Sequence, residues 1–137
     1  MALILNIETA TSLCSVALAE NSKVIAMRET FEEKSHASNL TVFIDQMLKE
    51  NNLRVADLDA VAVGKGPGSY TGLRIGVSTA KGICYGAGIP LIAINTLKIM
   101  FRQVVGSGSE NIGNAQPETL YCPMIDARRM EVFTCVY

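Results

Sequence analysis

A glycine-rich block at positions 64–76, GKGPGSYTGLRIG, constrains the fold of this chain more than any other segment. Three glycines and a proline within six residues rule out a regular helix or strand, because glycine is conformationally free and proline lacks an N–H donor. The short apolar run DAVAV precedes the block, and a helix-like segment from Thr71 to Tyr85 follows it. The pattern predicts a strand buried on both faces, a loop of fixed shape and then a helix.

Apolar periodicity predicts the elements on either side of this block. Three strand-like runs open the chain, at Ala2–Ile7, Leu13–Ala19 and Val24–Thr30. A helix capped by Ser35 follows, with apolar residues at helical spacing: Leu40, Phe43, Ile44, Met47 and Leu48. After the second helix, stopped by Gly86 and Gly88, the pattern predicts a buried strand at Pro90–Ile94. A third helix, Leu97–Val105 capped by Thr96, completes the series.

The element order βββαβαβα predicts an α/β domain with a mixed five-stranded sheet, the topology of the ribonuclease-H-like fold. This first lobe is expected to span residues 1–105, followed by a polar linker loop at 106–118. Two further strands, at Leu120–Ile125 and Glu131–Tyr137, repeat the opening hairpin in outline. We expect residues 119–137 to be the truncated start of a second lobe.

The composition excludes several classes of protein. Hydrophobic residues make up 49% and charged residues 18% of the 137 residues, which is too apolar for a disordered chain. A net charge of -1, without a basic block, gives no electrostatic footprint for binding nucleic acid unaided. Four cysteines without CxxC spacing are interpreted as buried thiols, and no signal peptide or membrane span is evident. We expect a cytoplasmic protein.

The glycine-rich loop and the helix after it allow two interpretations each. The loop can present backbone N–H groups to an anion, or it can be a rigid turn that sets the helix angle, and physics alone favours the turn. It matches neither G-x-G-x-x-G nor the P-loop. Gly72, Gly76 and Ala80 form a stripe of small residues along the helix. That stripe can pack on the chain's own sheet or meet a helix of another subunit.

Four segments carry a resemblance to a known family. They are ILNIETATSLCSVAL, SHASNL, GKGPGSYTGLRIGVSTAKGI and DARRMEV, in chain order. Together they resemble the bacterial TsaB (YeaZ) family. The resemblance implies an actin-like ATPase (ASKHA) fold and membership of the machinery that makes N6-threonylcarbamoyladenosine at position 37 of tRNA. It also implies a heterodimer with a catalytic TsaD subunit, joined by the ATPase TsaE.

One comparison within the resemblance concerns a metal. TsaD-like proteins bind a metal through an H-x-x-x-H pair after the strand equivalent to Pro90–Ile94. Here the corresponding positions are Thr96 and Met100, and the single histidine of the chain is His36. Neither threonine nor methionine replaces neutral imidazole at a divalent metal. We predict no metal site and no metal-dependent protease activity.

A second comparison concerns nucleotide. Glu8 stands where ATPases of this fold have an aspartate followed closely by glycine, and no glycine follows here. We therefore predict a degenerate nucleotide cleft, formed by Glu8, Thr9, Thr11, Gly66, Gly68, Ser69, Asp126 and Arg128. Glu8 and Asp126 would face each other across it, an arrangement that can hold magnesium. Nuclease activity is disfavoured, because it needs further acidic residues that the remaining positions do not supply.

These observations favour a scaffold subunit without catalytic residues, which needs no cofactor because ATP and metal belong to its partners. The predicted partner surface lies on the first two helices: Leu40, Phe43, Met47, Gly72, Leu73, Gly76, Val77, Ala80 and Ile83. Without TsaD, two copies of the chain would pair through this surface. tRNA would be reached only through the complex. The alternative is an independent ATPase or phosphotransferase of the actin-like fold.

Overall fold

A computed structural model of the chain describes residues 2–31, 36–106 and 119–137, with the side chains of 36–38 left aside. Within these ranges, seven strands and three α-helices follow one another as β1 (Leu3–Glu8), β2 (Cys14–Glu20), β3 (Lys23–Thr30), α1 (His36–Glu50), β4 (Ala60–Gly64), α2 (Tyr70–Ala87), β5 (Leu91–Ile94), α3 (Thr96–Gly106), β6 (Met124–Arg128) and β7 (Glu131–Thr134). The predicted cap Ser35 and the predicted linker beyond Gly106 lie outside the described residues.

The first five strands form one mixed sheet in the order β3-β2-β1-β4-β5. β1, β2 and β3 pair antiparallel, as a meander, whereas β4 lies parallel to β1 and β5 lies parallel to β4. Parallel neighbours need crossover connections, which α1 and α2 supply. The predicted mixed five-stranded α/β sheet is confirmed.

One face of this sheet forms the core. Leu5 and Ile7 of β1 and Val16 of β2 are buried there by strict alternation along the strands. α1 packs over β2 and β3, and α2 packs over β4. Their inward residues complete one cluster, which includes Leu40, Ile44, Met47, Leu48, Ala80 and Cys84.

The strands after β3 differ in how deeply they are buried. All five residues of β4 are buried, as predicted for a strand at the centre of a sheet. β5 was predicted to be buried as well, and this is wrong. Among the described strands it forms the sheet edge beside β4 alone, and Ile92 is 41% exposed.

The helix ends follow local hydrogen bonding. Ser69 caps α2, since its hydroxyl accepts the Gly72 N–H, and the helix ends at Gly88 in the left-handed conformation (φ 68°). Gly86 therefore lies inside the helix and does not stop it. Asn95, not Thr96, caps α3, because its side-chain oxygen accepts the N–H of Leu97 at 2.9 Å.

The last described segment forms a separate two-stranded sheet, β6-β7. β6 begins and ends later than predicted, whereas β7 begins at the predicted Glu131 and ends earlier. Arg128, Arg129 and Met130 turn the chain with positive φ. The Phe101 ring of α3 stacks on Tyr137 at 4.8 Å between ring centres and meets Tyr121 edge-on. These ring contacts join the hairpin to the first lobe.

The four cysteines do not share one environment. Cys14 and Cys84 are buried, as expected, whereas Cys122 and Cys135 flank β6 and β7 and are exposed. The prediction that all four are buried thiols is wrong for this pair, because a lone two-stranded sheet has too few neighbours to cover both its faces.

Candidate functional site

The turn between β1 and β2 docks on the glycine-rich block. A Cβ at Gly72 would collide with the Thr9 carbonyl, and one at Gly76 with the Thr9 hydroxyl. A Cβ at Gly68, where φ is also positive, would overlap the Ala10 backbone. The glycines therefore allow close approach between the start of α2 and the residues that follow β1.

This packing corrects the predicted partner surface. Gly72, Gly76 and Ala80 are buried against the chain's own sheet and turn, so the small-residue stripe is not available to another subunit. Leu40 and Met47 are likewise part of the core. The other four predicted residues are half-buried, and all of them except Leu73 pack against the core cluster: Phe43, Leu73, Val77 and Ile83.

Three backbone groups of the glycine-rich loop are hydrogen-bonded to other parts of the chain. Ser69 N–H donates to the Ala10 carbonyl at 2.6 Å, and Lys65 N–H donates to the Ile94 carbonyl at 2.8 Å. The Gly66 carbonyl accepts the N–H of Thr96 at 3.0 Å. These bonds tie the loop to β5, α3 and the β1–β2 turn, which is the behaviour of a rigid turn.

Glu8 ends β1 with its carboxylate turned over Gly64. Oε1 accepts the Ala10 N–H at 2.7 Å, and Oε2 is buried without a hydrogen-bond partner among the described residues. A Cβ at Gly64 would collide with this carboxylate. Burial raises the pKa of Glu8 above its ordinary value, although the backbone N–H groups of Ala10 and Thr9 pull the pKa down.

A pocket of about 210 Å³ opens beside this carboxylate, on the sheet face opposite α1 and α2. Strands β1, β2, β4 and β5 form its floor and α3 forms one wall. Its lining is mostly apolar, with polar groups from three residues of β1 and β2: Asn6, Glu8 and Ser15. Sequence reasoning found Glu8 alone among them, because the others become neighbours only through strand pairing.

The remaining predicted cleft residues are not brought into this pocket. Asp126 lies in β6, where its Oδ1 accepts the N–H of Arg128 at 2.7 Å, and neither residue lines the pocket. Thr11 is exposed and its hydroxyl accepts the Leu13 N–H. The expected pairing of Glu8 with Asp126 is therefore not found in the described part of the chain.

Thr96 and Met100, which are predicted to stand in place of two metal-binding histidines, both lie in the first part of α3. Thr96 is buried at the start of α3 and bonded through its backbone to Gly66, and Met100 lies one turn later. Within residues 2–31, 36–106 and 119–137, no three histidine, cysteine, aspartate or glutamate side chains come together as a metal cluster. His36 begins α1, with its side chain outside the described set.

Comparison with known proteins identifies the family. A family model described as "TsaD: tRNA N6-adenosine threonylcarbamoyltransferase" matches residues 25–137. The protein from Escherichia coli named tRNA threonylcarbamoyladenosine biosynthesis protein TsaB is 36% identical over 134 residues, 98% of this chain and 54% of that protein. The Bacillus subtilis protein of the same name is 34% identical over 98% of this chain and 54% of its own length. The chain belongs to the TsaD/TsaB family.

A solved structure of this family has the same fold. YeaZ from Pseudomonas aeruginosa superposes with a TM-score of 0.84 at 28% identity, over 100% of this chain and 60% of that one. RuvC from T. thermophilus, at 10% identity and a TM-score of 0.51 over 81% of this chain and 73% of that one, shares the fold alone. The predicted resemblance to TsaB (YeaZ) and the predicted fold class are confirmed.

The matches cover only part of the length of the relatives. The chain spans about half the length of the curated TsaB relatives it matches. In the part of the chain that the structure describes, no helix is long and apolar enough to cross a membrane.

Proposed function

We propose that this chain acts in the biosynthesis of N6-threonylcarbamoyladenosine at position 37 of tRNA, as a non-catalytic scaffold that binds a TsaD-type catalytic subunit. Relatives named for this biosynthesis support the pathway. The observation that carries the non-catalytic role is the start of α3, where Thr96, which is buried, and the half-buried Met100 stand at the positions of the H-x-x-x-H pair. Neither side chain holds a catalytic metal.

The outer face of α2 is the surface best suited to a partner helix. Tyr70 and Tyr85, near its two ends, are 74% and 94% exposed, and the Arg74 guanidinium lies over the Tyr70 ring at 5.5 Å. Val42 on α1 is 47% exposed. Exposed aromatics and arginine are the residue types enriched at protein interfaces, and their burial would provide binding free energy.

The remaining assignments follow from this role. ATP and metal would be held by the partner subunits, a TsaE-type ATPase would join the pair, and tRNA would be contacted only through the complex. In the absence of TsaD, two copies would pair through the outer faces of α1 and α2, with Phe43, Leu73, Val77 and Ile83 at the border of the interface. A cytoplasmic location is consistent with a tRNA substrate.

The test is binding of the chain to a TsaD-type subunit from the same genome, followed by calorimetry or light scattering. We expect a one-to-one complex, and at least about a tenfold loss of affinity for Tyr85→Glu, which puts a charge into the interface. Met27→Glu, on β3 at 59% exposure, is the control and should bind like the parent chain. No complex, or equal loss in both variants, would refute the proposal.

The alternative, an independent ATPase or phosphotransferase, predicts that ATP with magnesium binds the chain alone. The Glu8 carboxylate repels phosphate, and the loop hydrogen bonds to Ala10 and Ile94 leave fewer N–H groups to receive it. We expect no heat when ATP and magnesium are titrated into the chain at high concentration. A saturable signal there would favour the alternative.

A further inference from the structure

The pocket beside Glu8 has a composition that selects its ligand. Apolar side chains from β2, β4, β5 and α3 form most of the lining, including Ala17, Ala62, Ile94 and Ile99. Among the described residues that line it, Glu8 is the only one with an ionisable side chain. A ligand that fits this lining has an apolar body and one polar end.

The charge on Glu8 determines the sign of that polar end. No ion pair involves Glu8 within the described residues. A carboxylate in a site of reduced dielectric attracts a cation and repels an anion more strongly than one in water. The same burial raises the pKa of Glu8, and a bound cation would lower it again.

The volume indicates a small ligand. About 210 Å³ lies below the ~300–1,000 Å³ of pockets that hold drug-sized molecules. A short alkyl chain with an ammonium head fits this space. We propose that the pocket is a binding site for a small primary alkylammonium ion, with the ammonium group at Glu8 and the alkyl chain between the sheet and α3.

The test uses n-butylammonium chloride as the probe, titrated into the ¹⁵N-labelled chain and followed by NMR. Shifts should concentrate at the amides of Ser15, Gly64 and Ile94, with roughly millimolar affinity for so few ligand atoms. 1-Butanol, which is neutral, and butyrate, which is anionic, should bind at least about tenfold more weakly. Equal shifts from 1-butanol would refute the role of charge.

Two variants distinguish binding of n-butylammonium at the Glu8 carboxylate from nonspecific attraction to negative charge on the protein surface. Glu8→Gln removes the charge at nearly constant shape and should lower the affinity for n-butylammonium about tenfold or more. Glu29→Gln is the matched control. Glu29 pairs with Ser15 across β2 and β3, so it lies on the same sheet face but does not line the pocket. Unchanged affinity in Glu8→Gln, or an equal loss in both variants, would refute the proposal.

A pH titration of the parent chain tests the same point if Glu8→Gln does not fold. Binding of n-butylammonium should weaken as pH falls through the pKa of Glu8, because protonation removes the charge. Glu29 lies on the same sheet face, Lys65 follows Gly64 with an exposed side chain, and α3 carries the exposed Lys98 and Arg102. The Glu29→Gln chain should show the same pH dependence as the parent, and a pH-independent affinity would overturn the proposal.

Discussion

The hydroxyl of Thr9 occupies the space that a side chain at Gly76 would need. Thr9 follows β1 directly and is fully buried, whereas Gly76 lies within α2, so the contact fixes the helix against the end of the central strand. The Thr9 hydroxyl has no hydrogen-bond partner among the described residues, which indicates that close packing matters more here than polar bonding. The same contact holds the turn that follows Glu8.

Replacing Gly76 with alanine should therefore destabilise the fold. The new methyl group would force Thr9 or α2 to move, at a cost of about 1–3 kcal/mol in the free energy of unfolding. Gly82→Ala is the matched control on the same helix, because a Cβ there has nothing within 4 Å. Alanine should stabilise that position by about 0.5–1 kcal/mol through helix propensity. Urea denaturation measures both, and a stabilising Gly76→Ala would contradict the packing.

Gly64 and Glu8 should be energetically coupled. An alanine at Gly64 would push the Glu8 carboxylate aside and break its hydrogen bond with the Ala10 N–H, so we expect Gly64→Ala to cost about 0.5–1.5 kcal/mol. In a Glu8→Ala background the same change should cost less, giving a coupling free energy of roughly 0.5–1.5 kcal/mol in a double-mutant cycle. Urea denaturation of the four proteins measures it. Strict additivity would show that the carboxylate does not lie over Gly64.

Sequence patterns predicted the fold well where periodicity is strong. The alternation in β1 and the helical spacing in α1 each result from burial of one face of the element, and this periodic pattern is visible in the sequence alone. The burial of β5 was predicted wrongly, because an apolar run such as LIAI does not reveal whether a strand has one neighbour or two. Strand order depends on crossovers, and the apolar run at β5 contains no sign of its place at the edge.

The candidate site was less predictable than the fold. The stripe of Gly72 and Gly76 was recognised as a surface for close approach, but the sequence left open which backbone approaches it. In the structure, the residue that approaches the stripe is Thr9, which lies more than 60 positions earlier in the chain. The sequence did not indicate that Asn6 and Ser15 line a pocket, because only the pairing of β1 with β2 and its register bring these two polar residues together.

The raised pKa of Glu8 should make stability depend on pH. A carboxyl with a higher pKa in the folded state binds its proton more tightly there, so its contribution is fully present below the unfolded value of 4.5. It is lost as pH rises through the raised pKa. Glu8→Gln should therefore reduce the decline of stability with rising pH across this window. Urea denaturation of both chains between pH 4 and 8 measures it, and parallel curves would contradict the burial of Glu8.

Phe101 should control the attachment of the β6–β7 hairpin to the first lobe. Its ring meets Tyr121 and stacks on Tyr137, which also exchange two backbone hydrogen bonds of 2.9 Å. Phe101→Ala removes both ring contacts, each worth about 0.5–1.5 kcal/mol beyond the area it buries. Amide hydrogen exchange in residues 119–137 should then become faster by about one to two orders of magnitude, while exchange in β1 and β4 stays slow. Arg102→Ala, at the exposed neighbouring position, is the control and should leave both regions unchanged. If the hairpin detaches independently, the core packed by α1 and α2 stays intact, and exchange in β1 and β4 does not change. Equal acceleration in those central strands would mean that the hairpin and the five-stranded sheet unfold as one unit.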